Sequence, residues 1–340
     1  MGFVAVKVDP EKIERAERLL KEKIREVSEE HIKKLIFSVD KVMSESGLYS
    51  EDLAAGAIKQ SMGDLLEASF LLRAFKNTLR RIEYTEPVDC KEMRMVRRIS
   101  SAFKDIPGGQ ILGATKDYSL RLLNFDESEE IIKEKDSQIS NTTKFDGKLP
   151  KVREFLKDYL VIDEEKIDKG IHDITKEPVT FPNPPRSSML QCLTMGEEGA
   201  LVMLAYSSLR GYGAVHPTIL ELREGYLPLK IKHPLTGKTV NVGEVRATEC
   251  EVIWQENEKL KVGYGLVLGF NERKAIAMAT LDLCLQAKDD APASDKEFVL
   301  YHIDGVDSMG FVEHLKLPHY IFFASIFDRI KKVKGEKNEI

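Results

Sequence analysis

Residues 239–285 read TVNVGEVRATECEVIWQENEKLKVGYGLVLGFNERKAIAMATLDLCL. The first part, 239–254, and the second, 261–269, are strand-like, with β-branched and aromatic residues in each. Asn271 then stands where an N-cap opens a helix, and Ala275 to Leu285 is apolar on nearly every side, as in a buried helix. Residues 217–232 form a further strand-like segment just upstream. Consecutive strands followed by a buried helix predict a largely antiparallel sheet packed with helices.

Outward from this stretch the texture is helical. Residues 3–8 read as a short strand. Asp9-Pro10 caps and opens a helix with Ile13, Ala16, Leu20, Ile24 and Val27 at helical spacing. Ser28 caps a second, with Ile32, Leu35, Ile36, Val39 and Met43 inward and Gly47 at its end. A third runs from Ser50 through Ile58, and a long fourth carries Leu65, Ala68, Leu72, Phe75, Leu79 and Ile82. Residues 126–180 are charged and poor in aromatics, the texture of a variable insertion or linker, and Phe181-Pro182-Asn183-Pro184-Pro185 marks its boundary. Helices follow at 197–209, 295–309 and 320–333. The fold class is α+β. Its expected parts are a mainly helical region over 1–125, the insertion 126–180, and an α+β core over 181–340.

The 340 residues carry 51 Lys and Arg against 56 Asp and Glu, a net charge of −5. That balance argues against a generic nucleic-acid binder. The four cysteines, at 90, 192, 250 and 284, have no CxxC spacing and read as free thiols. No signal-peptide pattern or membrane-length apolar run is present, so a cytoplasmic protein without membrane association is expected.

Five stretches could carry chemistry. His314 and His319 flank Pro318 at a turn between helices, where two rings can aim at one metal ion; two ligands leave a zinc shell incomplete. Glu249 and Glu251 fall on one strand face with Val245, Ala247 and Ile253, about 7 Å apart at Cα, and like charges there push their pKa values apart. Arg210, Gly211, Gly213 and His216 form a glycine-containing loop suited to phosphate. Gly263, Gly265 and Gly269 miss the dinucleotide-binding spacing by one residue and are not read as a cofactor motif. Arg73, Lys76 and Arg80 flank the long helix, and Arg94, Arg97 and Arg98 recur at helical spacing; either set could clamp a triphosphate or face a partner.

Six runs, taken in order, resemble the I-subunit family of the bacterial carbon–phosphorus lyase system. They are GFVAVKV (2–8), KDIPGGQILGATKDYSLRLLNF (104–125), RSSMLQCLTMGEEGALVMLAYSSLRGYGAVHP (186–217), VNVGEVRATECE (240–251), GYGLVLGFNERKAIAMA (263–279) and EFVLYHIDGVDSMGFVEHLKLPHY (297–320). The resemblance implies a subunit that assembles with sister G, H and J subunits and an ATPase-like L subunit. The reaction it implies is displacement of adenine from ATP by an alkylphosphonate, giving an α-ribose 1-alkylphosphonate 5-triphosphate. It also implies zinc held by His314 and His319 and shared with a partner subunit. On this reading Glu249 and Glu251 are the candidate catalytic carboxylates. Arg210, Gly211, Gly213, His216, Arg94, Arg97 and Arg98 are the candidate substrate-binding residues. Two rival readings remain: a non-catalytic scaffold of the same complex, and a stand-alone zinc hydrolase with His302 as third ligand.

Overall fold

The computed structural model describes residues 10–118, 121–123, 149–156, 170–256 and 259–335. The expected strand over 3–8 and most of the 126–180 insertion lie outside these residues.

The sheet is an antiparallel meander of β1 (Arg94–Ile99), β2 (Thr218–Lys232), β3 (Thr239–Glu256) and β4 (Lys259–Leu268), in that order. The last three strands match their sequence readings closely. Around them the chain forms α1 (Pro10–Arg25), α2 (Glu29–Lys33), α3 (Ile36–Ser46), α4 (Glu51–Gln60), α5 (Leu65–Lys76), α6 (Val152–Phe155), α7 (Arg186–Met195) and α8 (Glu198–Ser207). After β4 come α9 (Glu272–Cys284), α10 (Lys296–His302), α11 (Gly305–Glu313) and α12 (Tyr320–Val333).

One sheet face is covered by α9, which Asn271 caps by accepting from the Lys274 N–H at 3.0 Å. The helix sits unusually close because β4 offers glycine. A Cβ at Gly263 would lie 2.1 Å from the Ala279 carbonyl oxygen, and one at Gly265 2.3 Å from that of Ala275. The Gly-Tyr-Gly run is therefore a packing device. The apolar core gathers here, from Leu193, Leu201, Leu222, Cys250, Val267 and Leu281 among others. A second cluster, with Val39, Val42, Met43, Ile58 and Leu72, holds α2–α5 together.

Several helical expectations are corrected. The reading of one helix over 28–47 gives way to two, because Leu35 leaves the helical region at φ −81°, ψ 64°. The long fourth helix stops at Lys76 rather than passing Ile82. There the Thr78 hydroxyl donates to the Phe75 carbonyl at 2.7 Å and competes with the helical backbone bonds. The helix expected over 295–309 is split by Asp304, whose side chain accepts from the Asp307 N–H and caps α11. Arg186–Met195, directly after the proline-rich boundary and not assigned from the sequence, is a helix. Arg94, Arg97 and Arg98 are not on a helix; they lie on β1, whose pairing with β2 is interrupted by a register shift between Met95 and Arg97.

Candidate functional site

The face of the sheet away from α9 carries charge where a core is expected. Register places Arg98 opposite Arg223, Arg223 opposite Glu249, and Glu221 opposite Glu251, with Tyr264 opposite Glu251 on the far side. Arg98, Arg223, Glu221, Glu249 and Glu251 are each at most 2% exposed. The Arg98 Nε donates to Glu221 Oε1 at 2.6 Å, and Arg223 lies 2.9 Å from the same oxygen. Charges so deep in a fold persist only when paired and hydrogen-bonded.

The layer is closed by residues 149–152. Arg98 and Arg223 donate to the Pro150 carbonyl at 3.0 and 3.3 Å, and the Val152 N–H donates to Glu221 Oε2 at 3.0 Å. This delivers Lys151 to the two candidate catalytic carboxylates. Its Nζ lies 2.6 Å from Glu249 Oε1 and 3.3 Å from Glu251 Oε1. Arg153 approaches Glu251 at 3.4 Å, and the Tyr264 hydroxyl donates to Glu249 at 3.0 Å. The expected sharing of one strand face by Glu249 and Glu251 is what the register gives. Their neutralisation by a lysine from the insertion is new.

Electrostatics separates the members of the cluster. Burial, and then the charge of Glu249, push the Glu251 carboxyl above its ordinary pKa, against the pull of Lys151 and Arg153. Lys151 is pushed up as well: burial lowers it, and the charges of Glu249 and Glu251 outweigh that effect. Burial raises Tyr264 well above 10, and lifts the Cys90 thiol beside it to about 12. Two atoms in the layer lack hydrogen-bond partners among the described residues, Glu251 Oε2 and Arg223 Nε. A buried unpartnered acceptor and donor in one layer are what a polar substrate could satisfy.

The other sequence candidates lie elsewhere. Arg94 is exposed, pairs with Glu244 at 2.8 Å and stacks over Tyr226. Arg97 is buried and held by Glu272, Asp117 and the Leu112 carbonyl. Arg98 is committed to Glu221 and to the carbonyls of Pro107, Gly109 and Pro150. Arg210 and His216 are exposed on the loop leading into β2, with Gly211 at φ +103° and Gly213 extended against Ser208. That loop meets β3 near Ile253, the partner of Thr218, four residues beyond Glu249 and so about 13 Å along the strand. The structure therefore gathers Glu249, Glu251 and Arg98 into one layer and leaves the 210–216 loop at its end.

His314 and His319 come together at the turn before α12, with ring centroids 5.2 Å apart. Each Nδ1 faces a backbone carbonyl, Phe311 at 2.9 Å and Leu317 at 2.5 Å. A carbonyl only accepts, so each Nδ1 carries a proton and Nε2 is the nitrogen left for another partner, the arrangement metal-ligating imidazoles use. His302 stacks on Phe298 and turns its Nδ1 to the Phe298 carbonyl. Among the described residues no group of three or more His, Cys, Asp or Glu is placed to hold a metal. The pair thus brings two imidazoles together with no third ligand beside them among the described residues.

Sequence reasoning missed Lys151, Glu221, Arg223 and Tyr264. The signal for two of them was present. Glu221-Leu222-Arg223 repeats the polar–apolar–polar alternation of Glu249-Cys250-Glu251 on the neighbouring strand. Lys151 carries no such pattern.

The family model for the bacterial phosphonate metabolism protein PhnI matches residues 2–337. The chain is 42% identical over 357 aligned residues to the alpha-D-ribose 1-methylphosphonate 5-triphosphate synthase subunit PhnI of Escherichia coli (strain K12), covering 99% of each chain. It is 38% identical to the protein of the same name from Rhizobium meliloti (strain 1021), over 98% of this chain and 95% of that one. It is also 46% identical, over 87% of this chain and 84% of the other, to HtxH of Stutzerimonas stutzeri, provisionally named as a C-P lyase subunit. A match of this extent leaves no part of the architecture to another family: the chain belongs to the PhnI family of bacterial phosphonate metabolism proteins.

Proposed function

We propose that this chain is a subunit of a cytoplasmic carbon–phosphorus lyase assembly and takes part in the step that joins an alkylphosphonate to ribose. In that step a phosphonate oxygen attacks C1′ of ATP as the bond from C1′ to N9 of adenine breaks. Adenine leaves with the bonding pair and takes a proton, and the product is an α-ribose 1-alkylphosphonate 5-triphosphate. The observation that carries the reading is the end-to-end identity with the two synthase subunits. The buried carboxylate layer supports a chemical role. Substitution at an anomeric carbon passes through a cation-like state, which an acid and a carboxylate assist.

Glu251, whose pKa is raised by burial, suits the acid that protonates the leaving adenine. Glu249, facing Lys151 and Tyr264, suits the group that stabilises positive charge at C1′. Both are enclosed here, with Lys151 of the 149–152 segment against them. His314 and His319 fit half of a zinc shell, and a sister subunit would complete it. Zinc held there supplies a Lewis acid for a phosphonate or phosphate oxygen. The G, H, J and L subunits are the partners this reading names.

The test is free adenine released from ATP by the purified chain alone, then with co-expressed G, H and L subunits and methylphosphonate. Product formation that Glu249→Gln and Glu251→Gln both abolish supports the assignment. Full activity in both variants overturns the carboxylate roles. A scaffold role is favoured by one feature, α12, none of whose residues is buried. In that case the omission of this chain would dissolve the complex, while neither glutamate would affect turnover.

A further inference from the structure

Away from the carboxylate layer, a cleft of about 900 Å³ opens between the end of α5, the residues just after it, the 174–176 loop and the end of α7. This is within the size range of about 300–1,000 Å³ in which small ligands bind. Arg73, Lys76, Arg80, Arg81 and Lys176 line it against one carboxylate, Asp304. In a chain whose net charge is −5, five cations around one concavity reverse the local field.

The described residues answer part of this charge, since Arg81 donates to the Tyr84 and Thr175 hydroxyls as well as to Asp173, and leave Lys76 and Arg80 without a carboxylate. Arg73 spends one nitrogen on Asp304, at 2.9 and 2.7 Å, and another on the Glu45 carbonyl, while its buried Nε has no partner among the described residues. Arg81 and Lys176 share a single carboxylate, Asp173, at 3.3 and 3.8 Å. Among the described residues Lys76 reaches only the Ser46 carbonyl, at 3.4 Å. Burial, and then the charges of Arg73 and Arg81, hold its pKa below the ordinary value. Arg80 makes no hydrogen bond or ion pair among the described residues. Folding gains nothing by converging like charges, and a multiply charged anion among them relieves the repulsion. Leu48, Ile174 and Met195 add an apolar wall, which suits an anion with an organic body.

We propose that this cleft is a binding site for an oligophosphate chain, bare or carried on a nucleoside, with Lys76 and Arg80 as its principal contacts. Concavity favours a small anion over an acidic protein surface. Naming ATP as the natural ligand rests on the proposed function; the anion chemistry does not.

The experiment is calorimetric titration of the full chain with inorganic tripolyphosphate and, separately, with ATP. Comparing the two distinguishes a bare phosphate chain from a nucleotide. Arg80→Ala, Lys76→Ala and the double variant are compared with Lys238→Ala in the exposed β2–β3 turn. Saturable binding is expected for the parent chain and for Lys238→Ala. Loss of about tenfold or more is expected for Arg80→Ala and Lys76→Ala, and more for the double variant. Arg80 is exposed and holds nothing among the described residues, so its variant should melt with the parent. The proposal is overturned by an absence of saturable binding, by equal losses in Lys238→Ala, or by unchanged affinity in the double variant. It is also overturned if the variants keep tripolyphosphate but lose co-expressed partner subunits, which would assign the cleft to an acidic protein. Because the readout is an inorganic ion, it holds whether or not adenine is released in the turnover assay.

Discussion

Lys151 is the residue on which the carboxylate layer depends. It stands between two glutamates that are almost wholly enclosed, and its ammonium is within 3.3 Å of both. Lys151→Met leaves those carboxylates buried without it, and is expected to cost roughly 3–5 kcal/mol in urea denaturation. Glu251→Gln keeps the shape and removes the acid of the proposed function. A loss of about 100-fold or more in adenine release is expected from the assembled complex, with melting little changed. A third residue gives a pH signature. Burial, and then the charge of Glu272, push Glu224 up to about 7 from an ordinary 4.5. The folded state thus holds this proton where the unfolded chain has released it. Stability from this group is full below about pH 4.5 and falls as pH rises to about 7, by up to ~3 kcal/mol. Denaturation between pH 4.5 and 8 should show that fall, and Glu224→Gln should flatten it. Glu249 and Glu251 were legible because strand alternation set two acids on an apolar face. Lys151 was not, because one lysine in a charged, aperiodic stretch has no feature that marks it as buried.

At the level of elements, β2, β3, β4 and α9 were legible since each is long and consistently patterned. β1 was hidden. Arginines at i, i+3 and i+4 imitate a helical face, and only the pairing with β2 and the shift after Met95 show how a strand accommodates them. The end of α5 was hidden for a local reason, the Thr78 hydroxyl, which an apolar stripe continuing to Ile82 obscures. The contact between β4 and α9 yields the sharpest prediction here. A methyl group at Gly265 would press on the Ala275 carbonyl, so Gly265→Ala should lower stability by roughly 1–3 kcal/mol or more, read as a fall in Tm. Gly56→Ala, a helical site with open space around it, should not.

Across the whole molecule, the core covers the sheet and leaves the ends of the described chain bare. Neither α1 nor α12 has a buried residue. Tyr320, Ile321, Phe322 and Phe323 each expose 66% or more of their surface, beside Phe311 and Leu315. An apolar area of this kind is an interface in waiting. Phe322→Asp with Phe323→Asp should leave the lone chain's melting unchanged and reduce its co-purification with the other subunits of the assembly.

The exposure of α12 bears on when the histidines are placed at all. A helix of 14 residues, none of them buried, gains little from its own hydrogen bonds after the cost of nucleation, and lies near the helix–coil midpoint in water. Whatever covers it must supply the ordering entropy. His319 is the residue from which this helix starts, so the spacing of the two rings is a property of the covered state. A metal ion at the pair, as proposed above, and association through α12 would then draw on one folding equilibrium, and each should strengthen the other by the same factor.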